Sequence, residues 1–138
     1  MKVFLDANVL VSVLNKEYPL FPISSRVMSL ADRPEFDLYT SPICLAIAFY
    51  FSEKKSGSEM ARLKIEILSK KILMTAVDQA TVNQTLENRQ VLDLEDGLEY
   101  YSAVDVGCAV IVTEDLEGFY YSTIPILSCR DFLEKYVY

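Results

Sequence analysis

Short apolar runs that read as strands alternate with longer segments that read as helices, and this alternation limits the fold more than any other feature. KVFLD, residues 2–6, reads as a buried strand ending at an acid, and Asn8–Leu14 follows as a helix. Two prolines break the pattern in NKEYPLFP, so residues 15–22 read as a loop and the one candidate flap. Ser24–Ala31 reads as a helix, Phe36–Thr40 as a strand, and Ile43–Lys55 as a helix whose first turn tolerates Pro42. After a break at Ser56-Gly57-Ser58 come a helix over Glu59–Lys70 and a strand over Ile72–Val77. Asp78 opens a further helix as its cap, and Asp93 opens another that closes at Gly107. Ala109–Thr113 and Ile124–Leu127 read as strands, and residues 128–138 as a terminal helix. Strands separated by helices run parallel, so the expected class is α/β: a three-layer α/β/α sandwich with a central parallel sheet and right-handed crossovers.

The chain is 138 residues long with no internal repeat, which suits one domain spanning residues 1–138. No apolar run approaches the ~20 residues of a membrane span, and no secretory signal precedes the first strand. A soluble, cytoplasmic protein with no membrane contact is expected. The three cysteines, Cys44, Cys108 and Cys129, are odd in number, distant and apolar in setting, so they read as buried free thiols.

The chain has no histidine, which removes Ser-His-Asp and Cys-His catalysis and every imidazole metal site. A metal would have to be held by oxygen, which selects a hard cation such as Mg²⁺ or Mn²⁺. The net charge is −7, so nucleic acid could be bound only through a local basic patch or through cations in an acidic pocket.

In open parallel sheets ligands bind beyond the carboxyl ends of the strands. Asp6 ends the first strand, and Asp115 follows the strand that ends at Thr113. Asp93 and Asp96 begin the helix that feeds that strand, so they fall on the same edge. Asp6, Asp96, Asp115 and Asp93 are thereby gathered on one rim. Clustered carboxylates repel unless a cation sits among them, and a divalent ion held this way can promote phosphodiester hydrolysis. Each acid also has a plainer reading. Asp6 serves equally as a helix cap supported by Asn8; Asp93 is better explained as an N-cap; Asp115 also suits a turn. Lys54-Lys55 and Lys70-Lys71 read as solvated helix ends, and the tyrosine pairs Tyr100-Tyr101 and Tyr120-Tyr121 as packing.

VFLDANVLV, DLEDGLEYYSAVDVGCAVIVTED and IPILSCRDFL, in this order and spacing, resemble the PIN-domain family, in particular its bacterial PilT N-terminus-like, VapC-related branch. The resemblance covers almost the whole chain. It implies a Rossmann-like sandwich, Mg²⁺- or Mn²⁺-dependent endoribonuclease activity on RNA, and, for many members, a toxin held by an antitoxin protein and forming a homodimer. Asp6 and Asp96 match the family's first acid and its late-helix acid; Thr113 and Asp115 match the T-x-N/D motif after the next strand. Asn8, Asp93 and Thr113 take supporting places. Two positions depart from the pattern: Ile47 stands where a Glu or Asn is usual, and Gly118 stands ahead of Phe119 where an acid is usual. Three functions are in competition. A metal-dependent ribonuclease is favoured over a degenerate PIN domain that only binds nucleic acid or protein. A receiver-like phosphate-binding domain comes last, because no lysine falls at a suitable strand end.

Overall fold

A computed structural model describes residues 1–138. Five parallel strands form one sheet: β1 (Lys2–Leu5), β2 (Asp37–Thr40), β3 (Leu73–Met74), β4 (Val110–Val112) and β5 (Ile126–Leu127), in the spatial order β3-β2-β1-β4-β5. Seven helices flank it: α1 (Ala7–Leu14), α2 (Phe21–Ser29), α3 (Pro42–Ser56), α4 (Ser58–Ser69), α5 (Gln79–Glu87), α6 (Leu94–Asp105) and α7 (Cys129–Tyr136). The three-layer α/β/α sandwich expected from the alternation is the observed architecture. No helix is long and apolar enough to cross a membrane.

The core is built on the two central strands. Val3, Phe4 and Leu5 of β1 and Val110, Ile111 and Val112 of β4 are all fully buried, as continuous apolar runs in a parallel sheet covered on both faces should be. Helix starts follow local chemistry. The Ser41 hydroxyl accepts from the Cys44 N–H at 3.0 Å, with Pro42 in the first turn of α3. Asp78 and Thr81 form a reciprocal capping box on α5. Gly57 at φ 85° and Gly107 at φ 87° supply left-handed turns after α3 and α6.

Several expected boundaries move. The loop expected over 15–22 ends early, because α2 begins at Phe21 with Pro22 in its first turn, where a missing N–H costs nothing. The strand expected over Ile72–Val77 shrinks to Leu73–Met74. Thr75 makes the last contact to the neighbouring strand, through its N–H to the Thr40 carbonyl at 2.8 Å, and the chain then turns towards the Asp78 cap. β5 loses Ile124 because Pro125 has no N–H to give; its carbonyl still accepts from Ile111 N–H at 3.0 Å.

The strand order reverses direction between β1 and β4, which pair in register Leu5↔Val112. Crossovers lead from β1 towards one edge and from β4 towards the other. The residues just past these two strand ends therefore border the crevice at the topological switch point.

Candidate active site

Asp6 stands at that crevice and is buried. Its N–H is held by the Val112 carbonyl at 3.0 Å, a bond that ties it to the end of β4. One carboxylate oxygen caps α1 by accepting from Ala7 N–H at 2.7 Å. The other accepts from the Thr113 hydroxyl at 2.8 Å and, at the limit of hydrogen bonding, from the Asn8 amide at 3.5 Å. Capping and convergence on a site are thus not alternatives for Asp6; its two oxygens do both. Asn8 ties the strand ends together. Its amide N–H donates to Thr113 Oγ1 at 3.0 Å, and its amide oxygen accepts from Glu114 N–H at 3.2 Å. Thr113 Oγ1 also accepts from Asp115 N–H at 3.0 Å, which fixes the turn that presents Asp115.

Asp93 caps α6 by accepting from Asp96 N–H at 3.1 Å, the role that its spacing favoured. Even so it faces the same space. Asp6, Asn8, Asp93, Asp96 and Asp115 line one cleft of about 480 Å³, together with Glu95, Glu17 and Ile47. No lysine or arginine lines it. The uncompensated charge shows in Asp96. Burial, followed by repulsion from Asp93, Asp6, Glu95 and Asp115, raises its carboxyl from 3.8 to about 7. Glu95 moves up for the same two reasons, burial first and Asp6 next.

Gly118, which stands where an acid is usual, lies against two of the acids. A Cβ at this position would lie 2.9 Å from Oδ2 of Asp96 and 3.0 Å from Oδ2 of Asp115. Both oxygens end flexible side chains, so a side chain here would displace the two carboxylates from their present positions. Gly118→Asp should therefore not restore a ligand. It should weaken Mn²⁺ binding about tenfold, the equivalent of ~1.4 kcal/mol of crowding and repulsion. Calorimetry showing tighter binding in the variant would contradict this account. Ile47 lies on the cleft wall, half-buried.

Sequence reasoning missed Glu99, the most unusual acid of the site. It is fully buried in α6, three residues after Asp96 and four after Glu95, so all three fall on one helix face. The Cys44 thiol donates to its Oε1, and Oε2 is buried with no hydrogen-bond partner. Donor atoms of Asp6, Cys44 and Glu99 lie within 4.8 Å of one another, as do those of Asp93, Glu95 and Asp96. Burial first, then the Asp6 charge, pushes Glu99 up to about 10, so it stays protonated at neutral pH. Burial and the two neighbouring acids likewise push the Cys44 thiol up, so it is a proton donor, not a thiolate. All three cysteines are free and buried, as expected. The one available sequence signal for Glu99 was an acid on the inward face of a helix.

This donor set can hold a divalent cation. It is rich in carboxylate oxygen, free of competing cations, and carries a buried, unpartnered carboxyl oxygen. Such a set suits a hard ion better than zinc, for which imidazole and thiolate ligands are absent.

The PIN domain family profile matches residues 2–117. The chain belongs to the PIN domain family. Among relatives, Ribonuclease VapC1 of Aquifex aeolicus strain VF5 is 27% identical, over 98% of this chain and 95% of that protein. Among solved structures, VapBC-1 from nontypeable Haemophilus influenzae is similar at a TM-score of 0.72 and 18% identity, covering 94% of this chain and 99% of that one. VapBC2 from Rickettsia felis, bound to a DNA fragment from its promoter, is similar at a TM-score of 0.69 and 20% identity, over 93% and 98% of the two chains. The structural likenesses speak to the fold.

Proposed function

We propose that this PIN domain is a divalent-metal-dependent endoribonuclease of the VapC kind, that its ion is Mg²⁺ or Mn²⁺, and that it is the toxin of a pair neutralised by an antitoxin protein. The observation that carries this reading is the convergence of Asp6, Asp96 and Asp115 on one cation-free cleft at the strand ends. The relative named a ribonuclease, aligned over nearly the whole chain, supports the reaction, and the VapBC structures support the partner. When bound, the ion supplies Lewis acidity and charge compensation at the phosphodiester. The chain's residues set up that chemistry. Asp6, Asp96 and Asp115 hold the ion, with Asp93 and Glu95 adding negative charge around it. Thr113 and Asn8 fix the Asp6 carboxylate and the Asp115 turn. Neutral Glu99 buttresses Asp6 from the buried side.

One observation favours the alternative, a non-cleaving PIN module: Ile47 contributes an aliphatic wall where a ligand is usual. A single experiment separates the two. Purified protein is expected to cut single-stranded RNA with Mn²⁺ and to stop with EDTA. Absence of cleavage with either metal, combined with cleavage by an Ile47→Glu variant, would establish the degenerate module instead. No Mn²⁺ binding by calorimetry in either protein would overturn the metal site itself.

A further inference from the structure

The cations of this acidic protein are not spread evenly. Lys16, Lys55 and Lys64 meet in a recess of about 430 Å³ with Leu14, Asn15, Ser56 and Met60, and no acid lines it. None of the three lysines is in an ion pair. Two of them are oriented by the end of α1. Lys64 Nζ donates to the Leu14 carbonyl at 2.9 Å and the Ser56 hydroxyl at 3.3 Å, and Lys55 Nζ donates to the Asn15 carbonyl. Capping the negative end of a helix is a sufficient reason for those two contacts. It does not account for Lys16. That residue occupies the left-handed region at φ 51°, in the place after a helix where glycine is usual, and its ammonium is exposed. A strained lysine beside two aligned ones concentrates three charges, each ammonium keeping donors free for a ligand.

The recess adjoins the acidic cleft. Lys16 lines the first and its neighbour Glu17 the second. On α3, Ile47 and Phe51 line the cleft and Lys55 lines the recess one turn further on. Eight residues of helix separate Ile47 from Lys55, or ~12 Å, the rise of a few nucleotides of single strand. Between them Tyr50 and Phe51 stand exposed at 52% and 45%, edge to face. The path thus runs from the acids past exposed aromatic side chains, with Lys54 over the Tyr50 ring at 4.9 Å, to a cluster of cations. Aromatics beside cations are the composition of a surface that follows a single-stranded backbone.

We infer that the Lys16–Lys55–Lys64 recess binds a backbone phosphate of the single-stranded RNA substrate, a few nucleotides from the bond cut in the acidic cleft, with the Tyr50–Phe51 shelf stacking the intervening bases. The inference rests on the ribonuclease reading for its substrate. Its geometry stands without cleavage, and two measurements keep the two ideas apart. The first is fluorescence anisotropy of a ten-nucleotide RNA in EDTA over a salt series. Lys16→Gln should weaken binding about threefold to tenfold and lower the salt slope by roughly 0.7, the value for one phosphate contact on a single strand. Lys16→Gln/Lys55→Gln should lower it further, with thermal melts confirming that both variants fold; the Lys16 side chain makes no hydrogen bond, only its backbone N–H does, so that variant alone suffices. Equal affinity and slope in wild type and Lys16→Gln would overturn the proposal. So would displacement of the RNA by polyglutamate at equal charge, which would mark a site for an acidic protein segment. The second is steady-state cleavage with Mn²⁺. Lys16→Gln should raise KM for the ten-mer with kcat unchanged and leave a dinucleotide substrate, too short to reach the recess, unaffected. A fall in kcat on both substrates would overturn it. Absence of all cleavage would sink the ribonuclease reading while the anisotropy result still judges the recess.

Discussion

Asp6→Asn is expected to lower RNA cleavage by at least about a hundredfold while leaving the fold intact. Loss of a group that merely orients a metal ligand typically costs ten- to a hundredfold, and Asp6 is placed as a ligand itself. The fold should survive because asparagine keeps the oxygen that caps α1 through the Ala7 N–H. The other oxygen becomes an amide that meets the Thr113 hydroxyl and the Asn8 amide, both of which now donate to it. That conflict, together with the lost charge, should disorder the ion's surroundings without opening the core. In EDTA the variant should melt at or slightly above the wild-type temperature, because one of several mutually repelling carboxylates has gone. Comparison of kcat and Mn²⁺ affinity between the two proteins checks this. Activity within a few-fold of wild type would move the reaction away from the switch-point cleft.

The central strands and the three acids were legible for one shared reason. A run such as Val3-Phe4-Leu5, set among alternating helices, suits a strand buried on both faces of a parallel sheet, and an acid that ends such a run falls on the strand-end edge. The position of Asp96 followed from the same logic applied to a helix that must run antiparallel to β4. Element ends were less legible because single tertiary contacts set them. Pro125 trims β5, and the turn towards the Asp78 cap trims β3. Glu99 was hidden for a different reason. Charged residues on helices are usually solvated, and its place on the inward face of α6 was the one local mark of burial. Its burial depends on Cys44 arriving from α3, a contact across 55 residues. Gly118 was legible as a departure from the pattern, while its closeness to the Asp96 and Asp115 carboxylates shows only in the coordinates.

Glu99 leads to the second large effect, on stability. A carboxyl that holds its proton up to about pH 10 in the fold but releases it near 4.5 when unfolded ties stability to pH. The native state then binds one more proton than the unfolded chain throughout that window. Stability contributed by this group is complete below pH 4.5 and is lost steadily as pH rises towards 10. The slope for one proton is about 1.4 kcal/mol per pH unit, so between pH 5 and 7.5 the metal-free protein should lose about 3 kcal/mol from Glu99 alone. That is a large share of the ~5–15 kcal/mol typical of a domain. Asp96, raised to about 7, adds a shallower loss over the lower part of the range, reduced because it is only half-buried. Glu99→Gln keeps the shape and neutrality of the protonated acid and has no proton to lose. In EDTA the variant should match wild type at pH 5 and exceed it by about 3 kcal/mol at pH 7.5, as read from urea midpoints at the two pH values. Parallel pH profiles for the two proteins would mean that Glu99 is ionised in the fold, with a cation or a mobile Asp6 compensating it. Saturating Mn²⁺ should narrow the gap between the two proteins at pH 7.5, since an ion among Asp6, Asp96 and Asp115 relieves the Asp6 charge that helps keep Glu99 protonated.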